Sequence, residues 1–206
     1  MKRYFLLIAL ALGSAMATQA QITAPVETSP AETVNPDAKY LVPIPLEENG
    51  MVYLERVLPL PEGTNKDETL AKMKDWVDRC MKDERILNSS PLEAEQPYFL
   101  SQMVRQEIVF SSSLLSLDKA EISYALELSL KDNNMILKLR RISFRYSGDN
   151  PERKMLRHAA EDYIADKVAL NKRGDKIIRG YRKFRVKTID LIDEYAASLK
   201  MAFWIK

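Results

Sequence analysis

The chain is poor in the residues that most often anchor chemistry. It holds one cysteine, Cys80, and one histidine, His158, in 206 residues. A single cysteine excludes an intramolecular disulfide, so the fold must be held by its core. One His and one distant Cys make no metal-ligand cluster. Six glycines leave no room for a phosphate-cradling glycine loop, and none is present. No catalytic residue, metal ligand or cofactor is therefore expected. A dominant charge is missing as well: 31 Lys and Arg face 29 Asp and Glu, so no global electrostatic partner is implied.

Long apolar runs are scarce. One apolar run, uncharged from Tyr4 to Ala17, follows the cationic Lys2 and Arg3 and precedes the polar Thr18, Gln19 and Gln21. That order is the n-region, h-region and cleavage region of a bacterial secretory signal. A cut after Ala20 would use Thr18 and Ala20 as the small residues, and a cut after Ala17 would use Ala15 and Ala17; the first fits better. The run is shorter than the roughly 20 apolar residues of a spanning helix and contains Gly13 and Ser14, which argues against an uncleaved anchor. Cys80 is far from the cut, so the chain is not expected to be a lipoprotein. The expectation is export to the periplasm or beyond, with residues 1–20 removed and no transmembrane segment left.

What is present comes in blocks. Residues 21–45 carry Pro25, Pro30, Pro36, Pro43 and Pro45, each removing a backbone donor and restricting its predecessor; they read as a disordered tether. Residues 46–148 read as an α+β domain. Val52 to Leu58 is β-branched and aromatic and is predicted as a first strand. Thr64 with Asp67, or Asn65 with Glu68, signals a helix start, and Leu70, Met73, Val77, Cys80 and Met81 then recur at helical spacing beside Trp76. Asn88 to Pro97 reads as a loop and Met103 to Phe110 as a strand. From Ala120 to Leu130 apolar and polar residues alternate, one face buried and one wet. Lys131-Asp132-Asn133-Asn134 supplies hairpin-turn chemistry. In the following strand Met135, Leu137 and Leu139 fall on one phase and Ile142, Phe144 and Tyr146 on the other, which predicts a bulge near Arg140 and Arg141. Residues 149–206 read as a helical extension packed on the domain, with one stripe over Met155 to Val168 and a second helix starting near Thr188 with Ile189, Ile192, Ala196, Leu199 and Phe203 on one face.

This order of features resembles a known family. Glu55 and Val57 on a strand, a turn with Gly63, a helix with Trp76, long strands with Arg140, and the stretches Ala160 to Ile164 and Phe184 to Asp190 are similar to secreted bacterial proteins of unknown function with a TATA-binding-protein-like fold. The segment Glu93 to Met103 departs most from that pattern. The resemblance implies an antiparallel sheet with helices on one face, plus C-terminal helices, and carries no activity. The fold's name implies no nucleic acid as partner, since fold does not fix function.

The strongest local signal is basic. Lys172, Arg173, Lys176, Arg179, Arg182, Lys183, Arg185 and Lys187 face Asp175 alone, with Ile177, Ile178, Tyr181 and Phe184 interleaved to pack the segment down while the cations point outward. These eight are the candidate anion-binding residues; the plainer reading is a solvated connector between helices. Other candidates weigh less. His158 has no paired nucleophile, Cys80 falls on an apolar stripe, and Ser111-Ser112-Ser113 lacks nucleophile-elbow glycines. Asp162 with Asp166, and Asp190 with Glu194, have the spacing of ordinary surface helix acids, and Trp76 reads as core. The expectation is a noncatalytic binding or structural module of the envelope, its partner an envelope protein or an anionic envelope polymer. The alternative is a small periplasmic hydrolase or ligand-binding protein with a pocket on the sheet.

Overall fold

The computed structural model describes residues 35–93, 96–112, 117–147 and 156–204; the expected signal peptide lies outside them. The long alternating segments form an antiparallel sheet. Its strands are β1 (Leu54–Pro59), β2 (Ile86–Leu92), β3 (Phe99–Ser112), β4 (Leu117–Lys131), β5 (Asn134–Tyr146) and β6 (Leu156–Ala159), in the order β1-β5-β4-β3-β2 with β6 also on β5. Helices α1 (Lys66–Cys80) and α3 (Arg179–Trp204) cover one face, and a short α2 (Asp166–Ala169) precedes α3. The expected α+β class, with helices on one face and C-terminal helices, is what the chain adopts.

The sheet follows from its alternation. Ala120, Ile122, Tyr124, Leu126 and Leu128 of β4 are buried under the helices. Asp132 and Asn133 both take positive φ, 47° and 57°, the conformation a two-residue hairpin turn requires. Beyond it, β5 keeps Met135, Leu137 and Leu139 buried and then Ile142 and Phe144 on the opposite phase. Arg141 sits at φ 53°, and the β4 register shifts between Ser123 and Ala125, so one extra residue in β5 turns the second apolar set back to the core. The bulge also divides an edge. β1 pairs with Asn134 to Leu139 and β6 with Ser143 to Tyr146 on the same side of β5.

Three expected boundaries move. The Met155 to Val168 stripe is not one helix: Leu156–Ala159 is β6, followed by a 3-10 turn at Ala160–Asp162 and by α2. Past the bulge, β5 has unpaired backbone groups that β1 does not reach, and pairing there outweighs local helical spacing. Second, Ile86–Leu92 is an edge strand on β3 rather than a loop, with Pro91 tolerated because an edge does not need its missing donor. Third, α3 starts at Arg179, two turns before Thr188. Cations in a first turn oppose the helix dipole, but acids supplied by other elements offset them: Asp37 takes Arg182 at 2.6 Å, Asp118 takes Lys183 at 2.7 Å and Asp166 takes Arg185 at 2.8 Å.

The segment from Asn35 to Pro45, expected as the end of a disordered tether, is ordered against α3. A 3-10 turn at Ala38–Tyr40 presents Lys39 and Tyr40 to Asp190 at 2.6 and 2.9 Å. Arg185 secures it. This side chain is 0% exposed; its Nε donates to the Tyr40 carbonyl, one Nη to the Ile164 carbonyl and Asp166, and the other Nη to the Val42 carbonyl, all within 2.8 Å. Asp166 also accepts the Ile44 amide at 3.2 Å. Next to it, Phe184 meets Phe110, Phe144 and Tyr146 edge-on and Tyr163 at a tilt, with ring centroids 4.4 to 5.4 Å apart, contacts each adding about 0.5–1.5 kcal/mol to their burial.

The helix-free face carries cross-strand ion pairs: Lys119 with Glu107 at 2.6 Å, Arg145 with Glu121 at 3.0 Å, Lys138 with Glu55 at 2.7 Å, and Arg140 with Glu127; Arg140 also binds Glu47, from the turn that precedes β1. Hydrogen bonding to Arg140 holds the Glu47 carboxyl below the ordinary glutamate range.

Two predictions follow from this packing. Arg185→Met should leave three carbonyls unpaired and Asp166 without its cation, costing about 3–5 kcal/mol and lowering Tm by on the order of 10 °C; limited trypsinolysis should then cut early at Lys39. Because its folded-state pKa is depressed, Glu47 contributes stability at neutral pH that is lost as pH falls through that value. Denaturant midpoints measured from pH 7 down to pH 3 should fall less steeply for Glu47→Gln than for the native chain; parallel curves would show that the Arg140 pair contributes nothing.

Candidate functional site: a cationic turn and a groove along α3

The eight basic residues separate into distinct environments. Lys172, Arg173 and Lys176 sit on a tight turn closed by backbone hydrogen bonds from Asn171 N–H to the Lys176 carbonyl, 2.9 Å, and from Gly174 N–H to the Asn171 carbonyl, 2.9 Å. The Asn171 side-chain oxygen accepts from the amides of Asp175 and Lys176, and Gly174 takes the positive φ, 72°, that the turn needs. Leu170 bridges Ile177, and buried Ile177 ties the turn to the core. Its cations, with Arg179 at the start of α3, are exposed and have no ion-pair partner among the described residues. Asp175, the acid among them, is held by the Asn171 side-chain amide at 2.7 Å.

The rest of the set is arranged differently. Arg182 is exposed but bound to Asp37. Lys183 points inward, between Asp118 and the rings of Phe110 and Tyr146, 4.9 and 4.3 Å from their centroids. Arg185, expected to face outward, is the buried clamp; Lys187, two residues further on, projects to the opposite side of α3. Lys187 is exposed at the rim of a groove. Of the apolar residues expected to pack the segment down, Ile177 and Phe184 are buried, whereas Ile178 is exposed.

That groove, about 510 Å³, runs between α3 and β3. Its floor includes Ile108, Leu191 and Gln106, and its rim carries Arg85, Lys187 and Glu194. Beneath it lies a polar core that alternation alone did not reveal. The Tyr124 and Tyr195 hydroxyls are 2.6 Å apart, and Tyr124 donates to the Gln106 side-chain oxygen at 2.9 Å. Burial, reinforced by the neighbouring phenol, raises the Tyr124 pKa well above the ordinary tyrosine value; burial pushes Tyr195 up to about 12. Both stay neutral at physiological pH, where they serve as hydrogen-bonding groups. The one readable trace of this cluster is that Tyr195 follows Ile192 by three residues on the buried stripe of α3, with Gln106 an uncharged polar residue inside an otherwise apolar strand face.

The lesser candidates find mostly structural places. Trp76 is core; its indole N–H donates to Ser198 Oγ at 3.0 Å and its ring meets Tyr195 edge-on at 5.6 Å. His158 lies on β6, not on a helix, and packs against the Tyr163 ring at 5.2 Å. Asp166 is bound to Arg185, and Asp190 to Lys39 and Tyr40. Ser111 and Ser112 end β3; Ser113 lies outside the described residues. Among the described residues no group of three or more His, Cys, Asp or Glu converges as a metal site, and no helix is long and apolar enough to cross a membrane.

Residues 56–145 match the model of DUF4468, a domain of unknown function with a TBP-like fold. The crystal structure of a DUF4468 family protein from Bacteroides ovatus ATCC 8483 superposes with a TM-score of 0.73 at 30% identity, covering 84% of this chain and 97% of that one. A TBP-like protein from Parabacteroides distasonis ATCC 8503 superposes with a TM-score of 0.60 at 21% identity, over 77% and 96% of the two chains, a likeness of fold. Among curated proteins nothing matches.

Burial pushes the Cys80 thiol up to about 11. At pH 8 it should therefore hold on the order of a hundredfold less thiolate than an ordinary cysteine. Labelling by a disulfide reagent should be slower than that of glutathione by a comparable factor and should become fast in denaturant; a native-state rate equal to glutathione's would contradict the inert reading.

Proposed function

This chain belongs to the DUF4468 family, and on that premise we propose that it is an exported, noncatalytic binding module of the bacterial cell envelope whose cationic turn engages an anionic polymer or surface. Export is supported by the sequence order Lys2-Arg3, the uncharged run to Ala17 and the small residues up to Ala20. The observation that carries the binding reading is the set Lys172, Arg173, Lys176 and Arg179: four exposed cations on a hydrogen-bonded turn and the adjoining helix start, with the nearby Asp175 engaged by Asn171. Charge runs on a surface are usually balanced by acids placed beside them. Here the acids from other elements go to Arg182, Lys183 and Arg185, and the turn keeps its charge toward solvent. A rigid turn loses little conformational freedom when it meets a ligand. The anions available in an envelope are lipid phosphates and acidic polysaccharides.

The partition of the cluster decides how the reading is tested. Reversing Arg182, Lys183 or Arg185 would disturb packing, so the informative changes are at Lys172, Arg173, Lys176 and Arg179. Reversing Lys172, Arg173, Lys176 and Arg179 to Glu should leave Tm nearly unchanged. It should weaken retention on phosphatidylglycerol vesicles by about a hundredfold or more, at roughly 1 kcal/mol per cation near an anionic surface. Native binding should fall as NaCl rises from 0.05 to 0.5 M; polygalacturonate in place of vesicles distinguishes a polysaccharide from a lipid ligand. Retention by the variant equal to the native chain's, or independent of salt, would remove the proposal.

A further inference from the structure

The helix-free face of the sheet holds a second concentration of positive charge, separate from the cationic turn. Arg145 on β5 stands directly opposite Arg157 on β6, and like charges facing each other across two strands repel. Arg145 has Glu121 of β4 at 3.0 Å. Arg157 is exposed, has no acid partner among the described residues, and leans inward to donate from Nε to Ser143 Oγ at 3.3 Å. Arg105 of β3 comes in from the other side. Its Nη1 lies 4.0 Å from the same Glu121 oxygen that Arg145 holds, and its Nε is the one buried side-chain polar atom among the described residues with no hydrogen-bond partner. With Lys119 bound to Glu107, the four cations Arg105, Lys119, Arg145 and Arg157 share two acids.

The register shows where an anion fits. Arg105 pairs with Ser123, Ser123 with Ser143 and Ser143 with Ala159, so no bulky side chain stands in that row between Arg105 and β6. Neighbouring strands lie about 4.8 Å apart, which sets β3 and β6 about 14 Å apart, a span that two arginines reaching inward close to the width of one small group. An unpaired Nε leaves open the Nε–Nη edge, the fork with which a guanidinium grips two oxygens of one anion. A bound ion is one of the ways such a buried donor is satisfied. The Arg105 side chain is 41% exposed, so the guanidinium can turn that edge outward without moving the core. The charge surplus matches a dianion, and a phosphate monoester carries about −1.5 to −2 at neutral pH. We propose that this end of the sheet binds a phosphate group, free or as a monoester, between Arg105 and Arg157 above Ser123 and Ser143, with Arg145 held beside it by Glu121.

The test is an NMR titration of the full chain at constant ionic strength with glycerol 3-phosphate, inorganic phosphate and acetate, following the arginine Nε–H resonances. Either phosphate should shift Arg105 and Arg157 saturably at millimolar concentration, while Arg85, held by Asp83 and Glu194, stays in place. Tighter binding of glycerol 3-phosphate identifies an ester as the ligand, and equal binding a free phosphate. Acetate, with a single charge, should bind about tenfold more weakly or less, and Arg157→Gln or Arg105→Gln should weaken phosphate binding about tenfold or more, as expected for loss of a charge-assisted hydrogen bond. The chain with Lys172, Arg173, Lys176 and Arg179 reversed should bind phosphate here as the native chain does, so this site and the turn stand or fall separately. Should Arg105→Gln fail to fold, Arg157→Gln, a change at an exposed position, still decides. No saturable shift with either phosphate, equal affinity for acetate, or unchanged affinity in Arg157→Gln would overturn the proposal.

Discussion

A guanidinium withdrawn fully from water must have its N–H groups satisfied, and Arg185 meets that demand by fixing four pieces of chain at once. It takes the carbonyls of Tyr40, Val42 and Ile164 and the carboxylate of Asp166. An isolated charge in that position would cost several kcal/mol, so each of these partners has to be in place when the helix docks. The strap from Asn35 to Pro45, the turn after β6, α2 and the start of α3 are thus one interdependent unit. The aromatic rings around Phe184 close it on the sheet side.

The same demand sorts the basic segment. Acids contributed by the strap, β4 and α2 reach Arg182, Lys183 and Arg185, allowing a helix to begin with cations despite its dipole. Lys172, Arg173, Lys176 and Arg179 lie outside their reach and remain solvent-facing. The charge run is thus divided into a part that holds the fold and a part that faces solvent, and the binding proposal rests on the second part. The groove between α3 and β3 shows the reverse arrangement: Asp190, Asp193 and Glu194 on its rim are taken by Lys39, Arg56 and Arg85, and the neutral cluster of Tyr124, Tyr195 and Gln106 lies beneath it.

The parts of the fold legible in the sequence were those set by local period and turn chemistry. β4 shows its alternation from Ala120 to Leu130, Asp132 and Asn133 make the turn their residue types favour, and the phase change after Leu139 located the bulge at Arg141. The parts that were not legible depend on distant partners. Leu156–Ala159 is a strand because β5 leaves an open edge past the bulge; Ile86–Leu92 is one because β3 offers its edge. The strap is ordered by a cation about 145 positions away. For the candidate site, spacing found the cations but could not tell which faced inward, since all eight look alike until their acids are located. The polar cluster beneath the groove left only a faint trace, Gln106 as an uncharged polar residue on an otherwise apolar strand face and Tyr195 on the buried stripe of α3.

The division of the basic segment is the central claim, and arginine side-chain NMR tests it directly. In a titration with an anionic polymer, the Nε–H resonances of Arg173 and Arg179 should move with ligand, while that of Arg185 should stay fixed and exchange slowly with solvent. An Arg185 resonance that shifts or exchanges as fast as Arg173's, or Arg173 and Arg179 resonances indifferent to the polymer, would contradict the account.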